Sequence, residues 1–262
     1  MAGDRYNGAT FCARADSAAW LERLDRLRTY WTMRNYSSIV PVQRWGVLVL
    51  AATVSLCVSP RSSASDDGDF EYWPKVSFLV PIDEQWKVKV EERLTFGDEA
   101  RRLDDIQADL GLYYLGLADW FTVGFGYKET FEKDGDEWLL EHRPLVNLIV
   151  KGRPCGLTVV SRSRFEYRMP EEDDDVWRYR NKVLIAPEPL LSSTKILPYL
   201  AEEIFIRFDD EDFNQHRLQG GLFLPLHEQI RLELFYCWKL DEQEDNSWHD
   251  TNIVGSYLYF LF

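Results

Sequence analysis

Beyond residue 66, apolar and polar residues alternate in one segment of the chain after another. In residues 230–240, every even-numbered position is apolar or aromatic, while Arg231, Glu233 and Lys239 occupy odd-numbered positions. Successive side chains of a β-strand point to opposite faces, so a period of two predicts a strand with one apolar face and one wet face. The same pattern is clear in residues 86–96, 157–169 and 176–185.

The alternating segments are roughly ten to thirteen residues long, which matches tilted membrane-spanning strands and exceeds the five or six residues of a usual soluble strand. After residue 66 the chain has no apolar run long enough for a transmembrane helix. The segments cover residues 71–80, 85–96, 106–117, 120–131, 137–149, 156–169, 176–186, 196–208, 213–225, 229–240 and 249–262.

The number of strands is not settled by this count, because a single-chain bacterial barrel is expected to have an even number. Pro74 weakens the first segment, since proline is confined to the edges and bulges of sheets. We therefore expect an all-β fold, an up-and-down antiparallel transmembrane β-barrel of roughly 10–12 strands, with twelve slightly favoured over ten.

The connections between the segments form two alternating sets. One set is short and includes Pro81–Glu84 and Ala118–Asp119, whereas the other is acidic, with the loop Glu132–Asp136 and the run Glu171–Asp175. Outer-membrane barrels have short periplasmic turns and longer external loops. Phe262 is therefore expected at the periplasmic rim.

The chain ends on the alternating strand His249–Phe262, in which no charged residue follows Asp250. Chain ends usually fray into water, whereas the last strand of an outer-membrane barrel carries aromatic residues to the membrane edge. We expect this strand, ending at Phe262, to be recognised by the barrel-assembly machinery. The lipid bilayer and lipopolysaccharide are the other expected partners, with divalent ions linking the acidic loops to lipopolysaccharide phosphates.

An export signal is predicted near the start of the chain. Residues 45–58 are an uncharged apolar run that follows Arg44; the run is too short to span a bilayer as a helix and fits the apolar part of a signal peptide. With cleavage after Ala64 or Ser65, residues 1–65 are the leader and residues 66–262 the barrel domain. The residues before Met33 are atypical for a signal, so translation is expected to begin at Met33, with a longer atypical leader as the alternative.

Charge and residue spacing exclude several classes of ligand. The formal net charge is −14, which argues against a nucleic-acid partner. Neither the four cysteines nor the four histidines have the spacing of a metal site. No cofactor and no metal are therefore expected.

Alternation assigns a set of arginines and glutamates to one shared face of their strands. An arginine that faces lipid near the bilayer midplane costs about 2–4 kcal/mol, so this face is predicted to be the lumen. Pairing of arginine with carboxylate across strands is expected, because an unpaired enclosed charge is costly. The predicted lumen-lining residues are Glu91, Arg93, Glu141, Arg143, Arg162, Arg164, Glu166, Arg168, Arg178, Arg180, Glu203, Arg207, Arg217, Arg231 and Glu233.

Spaced residues on the predicted strands resemble those of a known bacterial family. They are Trp73, Glu91 and Arg93, Gly124-x-Gly126-Tyr127, Glu141-His142-Arg143, Arg162-x-Arg164-x-Glu166-x-Arg168, Arg178-x-Arg180, Tyr199-x-x-Glu202-Glu203, and Arg217 before Gly220-Gly221. Over about residues 70–262 the chain resembles the uncharacterised family defined as domain of unknown function 2490. The resemblance implies an outer-membrane-type β-barrel; it implies no activity and no catalytic residues.

Two roles are predicted for such a barrel in the outer membrane of a Gram-negative-type bacterium. Arginine–glutamate pairs either fill the barrel and join its strands, or surplus arginine lines a narrow pore that favours small anions. A soluble periplasmic β-barrel or sandwich that binds a small ligand is the alternative. An outer-membrane enzyme is the second alternative, but His142, Ser161 and Ser163 have the outward parity, so no catalytic site is expected.

Overall fold

The computed structural model describes residues 69–187, 196–208, 213–242 and 247–262, which form a closed β-barrel of eleven strands. The predicted all-β, up-and-down barrel is confirmed. The predicted leader, residues 1–65, lies outside the described residues. The strands are β1 (Asp69–Pro81), β2 (Trp86–Gly97), β3 (Arg102–Ala118), β4 (Phe121–Asp134), β5 (Glu137–Gly152), β6 (Leu157–Pro170), β7 (Val176–Pro187), β8 (Leu197–Arg207), β9 (Phe213–His227), β10 (Ile230–Glu242) and β11 (Trp248–Leu261).

Helical structure is a minor part of the fold. A short 3-10 helix, Pro154–Gly156, lies between β5 and β6. Within the described residues, no helix has the length and apolar character needed to cross a membrane.

The barrel closes between its first and last strands. β1 and β11 run parallel, with a continuous register from Asp69↔Thr251 to Leu79↔Leu261, whereas neighbours such as β1–β2 and β10–β11 are antiparallel. The strand number falls within the predicted range, but the expected even number is wrong for the barrel formed by the described residues. An odd number can close because a parallel ladder also pairs the backbone groups of both edge strands.

Pro74 does not remove β1 from the barrel. The β1–β2 register passes from Tyr72↔Phe96 to Lys75↔Arg93, so Trp73 and Pro74 are skipped on that side. Proline has no N–H to give to a ladder, but the β1–β11 register continues through Pro74↔Ser256. β1 is therefore a full strand with an interruption on one side.

The two rims differ less in loop length than predicted. The strands β4 and β5 stay paired as far as Asp134↔Glu137, which shortens the predicted loop Glu132–Asp136 to two residues. Gly135 in this turn has a φ of +55°, a conformation that glycine adopts without steric cost. We call this end of the barrel, which also carries residues 171–175, the acidic rim, and the opposite end the Phe262 rim.

The outer face of the barrel is apolar and exposed. Leu110, Phe125 and Leu200 are 56%, 53% and 67% exposed. Aromatic pairs flank this band: Tyr72–Phe96, Tyr167–Trp177 and Phe213–Trp248 toward the acidic rim, and Phe78–Phe260 and Trp86–Tyr114 toward the Phe262 rim. An apolar band between two aromatic girdles is typical of the outer surface of outer-membrane barrels.

Glycines on the inward face make room for large side chains. Gly255 lies directly opposite Phe235 in the β10–β11 register, and a Cβ at Gly255 would overlap the Phe235 ring. A Cβ at Gly124 would lie 2.5 Å from Tyr113 Cε1. Both rings are buried, so the inward face is closely packed at these positions.

We expect Gly255→Ala to destabilise the barrel by about 1–3 kcal/mol, because an added methyl group in a filled interior forces its neighbours to move. Gly220→Ala is the matched control, since its Cβ would meet Leu200 Cδ2 at an ordinary 3.5 Å. Urea unfolding in detergent, followed by tryptophan fluorescence, measures both variants. Equal losses of stability would contradict the close packing of Phe235 against Gly255.

Candidate functional site

The predicted lumen-lining residues share one face of their strands, and that face is buried. Glu166, Arg164 and Glu203 are 0%, 3% and 5% exposed, and the rest of the set is buried or half-buried. Arg207, at the end of β8, lies opposite Arg178 in the β7–β8 register. The set therefore consists of charged side chains that are largely withdrawn from bulk water. The free-energy cost of removing these charges from water must be offset by ion pairs and hydrogen bonds within the protein.

Glu166 is the acceptor for three arginines. Arg178 donates to it from Nε at 2.9 Å and from Nη2 at 2.7 Å, Arg180 donates at 3.0 Å, and Arg164 donates at 3.3 Å. The β6–β7 register sets Glu166 opposite Arg178 and Arg164 opposite Arg180. Since a carboxylate offers about four lone-pair sites, one buried glutamate can hold three guanidinium groups.

Arg180 connects this cluster to the next strand. It donates to Glu203 of β8 at 2.9 Å, and Arg162 of β6 donates to the same Glu203 oxygen at 2.9 Å. Since Arg180 also bonds to Glu166, side chains of β6, β7 and β8 form one connected network. We call it the arginine network, and Glu166 is its most buried member.

A separate cluster lies toward the acidic rim, around Glu141 of β5. Arg168 of β6 donates to both Glu141 carboxylate oxygens, at 2.7 and 2.8 Å. Arg143, two residues along β5, donates to the same two oxygens. Bidentate contacts of this kind are among the stronger charge-assisted hydrogen bonds.

Lysines occupy equivalent places on other strands, and the predicted set missed them. They could have been found from the sequence, because Lys89 shares the parity of Arg93 on β2. The prediction selected arginine and glutamate only. Lysine–carboxylate pairs at 3.1–3.2 Å are Lys75–Glu91, Lys89–Asp109 and Lys239–Glu71.

Aromatic rings lie between guanidinium groups inside the barrel. Trp73 of β1 has the Arg93 guanidinium 4.4 Å and the Arg217 guanidinium 4.9 Å from its ring centre. Arg217 is also 4.6 Å from the Phe205 ring, which Arg180 approaches to 4.5 Å. β1 and β9 are not neighbours in the barrel, so the contact between Trp73 and Arg217 crosses the interior.

Some interior cations have no carboxylate partner. Within the described part of the chain, Arg217 and Arg231 have no carboxylate at salt-bridge distance and lie instead over aromatic rings. Lys182 donates to Gln219 at 2.6 Å and Lys128 to Gln107 at 3.0 Å. The interior therefore holds more positive charge than its carboxylates neutralise directly.

The residues considered for hydrolysis lie on the other face. His142 Nδ1 is 2.6 Å from the Tyr127 hydroxyl on the outer surface, and the Ser163 hydroxyl is 3.0 Å from that of Tyr179. Among the described residues, no three His, Cys, Asp or Glu side chains are placed to bind a metal ion.

We expect Phe205→Leu to cost about 1–2 kcal/mol more in stability than a comparable loss of an aromatic ring elsewhere, because its face interacts with desolvated guanidinium groups. Phe235→Leu is the comparison, since Phe235 is also buried but packs against Tyr257 rather than a cation. Urea unfolding of both variants gives the difference. If Phe205→Leu loses no more stability than Phe235→Leu, the cation–π contacts of Phe205 do not stabilise the barrel.

The model of a protein family described as "protein of unknown function (DUF2490)" matches residues 70–250 of the chain. The chain belongs to the DUF2490 family. The matched segment of this DUF2490 protein contains every predicted lumen-lining residue, from Glu91 to Glu233. It also contains Trp73 and Phe205, which the prediction did not assign to the interior.

LpxR from Salmonella typhimurium is similar to this DUF2490 protein with a TM-score of 0.44 and 8% sequence identity, over 71% of this chain and 87% of LpxR. The comparison with curated proteins gives no match.

Proposed function

We propose that this DUF2490 protein is a structural barrel of a bacterial outer membrane, in which the charged interior acts as a closed core rather than as an open pore. The exposed apolar band supports insertion into a bilayer, because soluble monomers rarely expose apolar patches beyond a few hundred Å². The observation that carries the closed interior is the contact of Arg217 of β9 with Trp73 of β1, which passes through the interior over the two strands between them.

Further contacts between non-neighbouring strands support a filled interior. Arg164 of β6 is 4.0 Å from Asp109 of β3, and Lys239 of β10 is 3.1 Å from Glu71 of β1. A barrel of about eight strands is filled by its side chains, whereas about sixteen strands leave a channel. With eleven strands, these long side chains reach one another over one or two intervening strands.

Barrel assembly and lipopolysaccharide as a partner belong to the same proposal. The last strand is paired on both sides, and the Phe262 N–H donates to the Leu79 carbonyl at 3.0 Å, which supports a role for this end in barrel assembly. The acidic connection 171–175 is exposed and suits divalent ions that bridge to lipopolysaccharide phosphates.

Cell fractionation and bilayer recording test this function. We expect the protein in the outer-membrane fraction, extracted only by detergent and with heat-modifiable migration. We also expect planar bilayers to show no steady conductance steps after its insertion. Release with the periplasmic contents would instead favour the soluble ligand-binding alternative.

A narrow anion path is the second candidate, and the excess of interior cations favours it. If steady conductance steps appear, Arg217→Gln should lower the preference for anions, because the Arg217 guanidinium lies over aromatic rings and, among the described residues, has no carboxylate at salt-bridge distance. Arg101→Gln, on the exposed connection between β2 and β3, is the control. If both variants show conductance steps with unchanged anion selectivity, Arg217 does not line an anion path.

A further inference from the structure

A group of polar side chains interrupts the apolar outer face at mid-height. Ser163, Asn181 and Glu202 have the outward parity and occupy the seventh of fourteen, sixth of twelve and sixth of eleven positions of β6, β7 and β8. The Asn181 amide donates to Ser161 at 3.3 Å and to Ser163 at 3.0 Å. We call these four residues the polar patch.

Glu202 is the charged member of the polar patch, and its side chain is 61% exposed. Its neighbour is His216 of β9, whose Nε2 lies 2.9 Å away and closer to the acidic rim. Polar and charged side chains in the middle of a lipid-facing strand are disfavoured and usually face protein or water. If the barrel is inserted as proposed above, the outer surface of β6–β8 requires a polar partner within the membrane.

We infer that the polar patch is the interface of a two-fold symmetric dimer formed by a second copy of this chain. The argument is its self-complementarity. A two-fold axis along the membrane normal and through β7 sets Asn181 opposite Asn181 of the second copy. It also sets the β6 serines of one copy opposite the β8 carboxylate of the other, so that hydroxyl donors meet an acceptor.

Other outward carboxylates can be compared with the polar patch. Glu92 is an outward carboxylate on β2, about half-way around the barrel from β8. Its cross-strand neighbours are Val76 and Ala108, which offer no side-chain hydrogen bonds. Glu129 of β4 is also outward and has His142 Nδ1 of β5 at 3.9 Å, on the strands next to β6. Small polar side chains allow close approach and hydrogen bonding between membrane-spanning elements, and the two serines and the asparagine of the polar patch supply them on β6 and β7.

Cysteine crosslinking in the membranes of expressing cells tests the dimer. Every native cysteine except the buried Cys237 is replaced by serine, and Val183→Cys is introduced on β7 beside the polar patch. Oxidation should give a band of twice the monomer mass. Val90→Cys, on the outer face of β2, is the control and should remain monomeric. Crosslinking of both variants or of neither, or a product with a different mass, would overturn the inference.

Sedimentation in detergent supplies a second measurement without introduced cysteines. Glu202→Leu should weaken dimerisation about threefold to tenfold, the range expected for one hydrogen-bonded contact within a membrane. Glu92→Leu removes the same kind of side chain elsewhere and should leave it unchanged. A monomer that fractionates with the outer membrane would end the dimer inference but leave the proposed function standing, whereas a soluble protein would end the proposed function itself.

Discussion

Glu166→Gln is expected to destabilise the barrel by about 3–5 kcal/mol, the usual cost of leaving buried charges without their partner. Glu166 is fully buried and accepts hydrogen bonds from Arg164, Arg178 and Arg180. Glutamine keeps the shape of the side chain but removes the charge that compensates three cations. Urea titration in detergent, read by tryptophan fluorescence, measures the change in the free energy of unfolding.

Two further variants separate this effect from a general loss of acidic charge. Glu172→Gln, in the exposed connection of the acidic rim, should change stability by less than about 0.5 kcal/mol. Adding Arg178→Gln to Glu166→Gln should recover part of the loss, because one fewer buried cation is left uncompensated. If Glu166→Gln costs no more than Glu172→Gln, the arginine network does not stabilise the barrel.

Leu110→Arg is expected to cost about 2–4 kcal/mol, because it places a guanidinium on the lipid-facing side near mid-bilayer. Leu110 is 56% exposed and lies at the centre of β3. Leu117, which is 59% exposed near the Phe262 rim, is the matched site, and Leu117→Arg should cost only about 0–1 kcal/mol. Folding of the purified variants into lipid vesicles from urea measures both costs.

The difference between these two sites distinguishes lipid from water. Both leucines are already exposed, so loss of internal packing is small at each. A soluble barrel would tolerate arginine equally at the two positions. Small and equal effects would therefore contradict membrane insertion, and they would do so without reference to where the protein is found in the cell.

The strands could be predicted from the sequence because each depends on local alternation. Residues 230–240 predict β10 on their own, and within it Glu233 is buried and Arg231 half-buried. The strand number could not be settled in the same way. Parallel pairing of β1 with β11 is a property of the closed sheet, and neither Pro74 nor the count of segments reveals it.

The partners inside the barrel were the least predictable part of the site. Alternation assigns Arg217 to the inward face, but its contact with Trp73 depends on how the barrel closes, because β10 and β11 lie between β9 and β1. Glycine gives a local signal that was available and unused: Gly255 opposite Phe235 marks a place where an inward ring needs room. Contacts between adjacent strands, such as Glu166 with Arg178, follow from the register and were expected as a class.

The parallel pairing of β1 with β11 also has a topological consequence. With an odd number of strands, β1 begins at the acidic rim and β11 ends at the Phe262 rim, so the two ends would emerge on opposite sides of a bilayer that the barrel spans as proposed. An epitope inserted immediately before Asp69 and one added after Phe262 should therefore be reached from different compartments, so that antibody applied to intact cells would label the first and not the second.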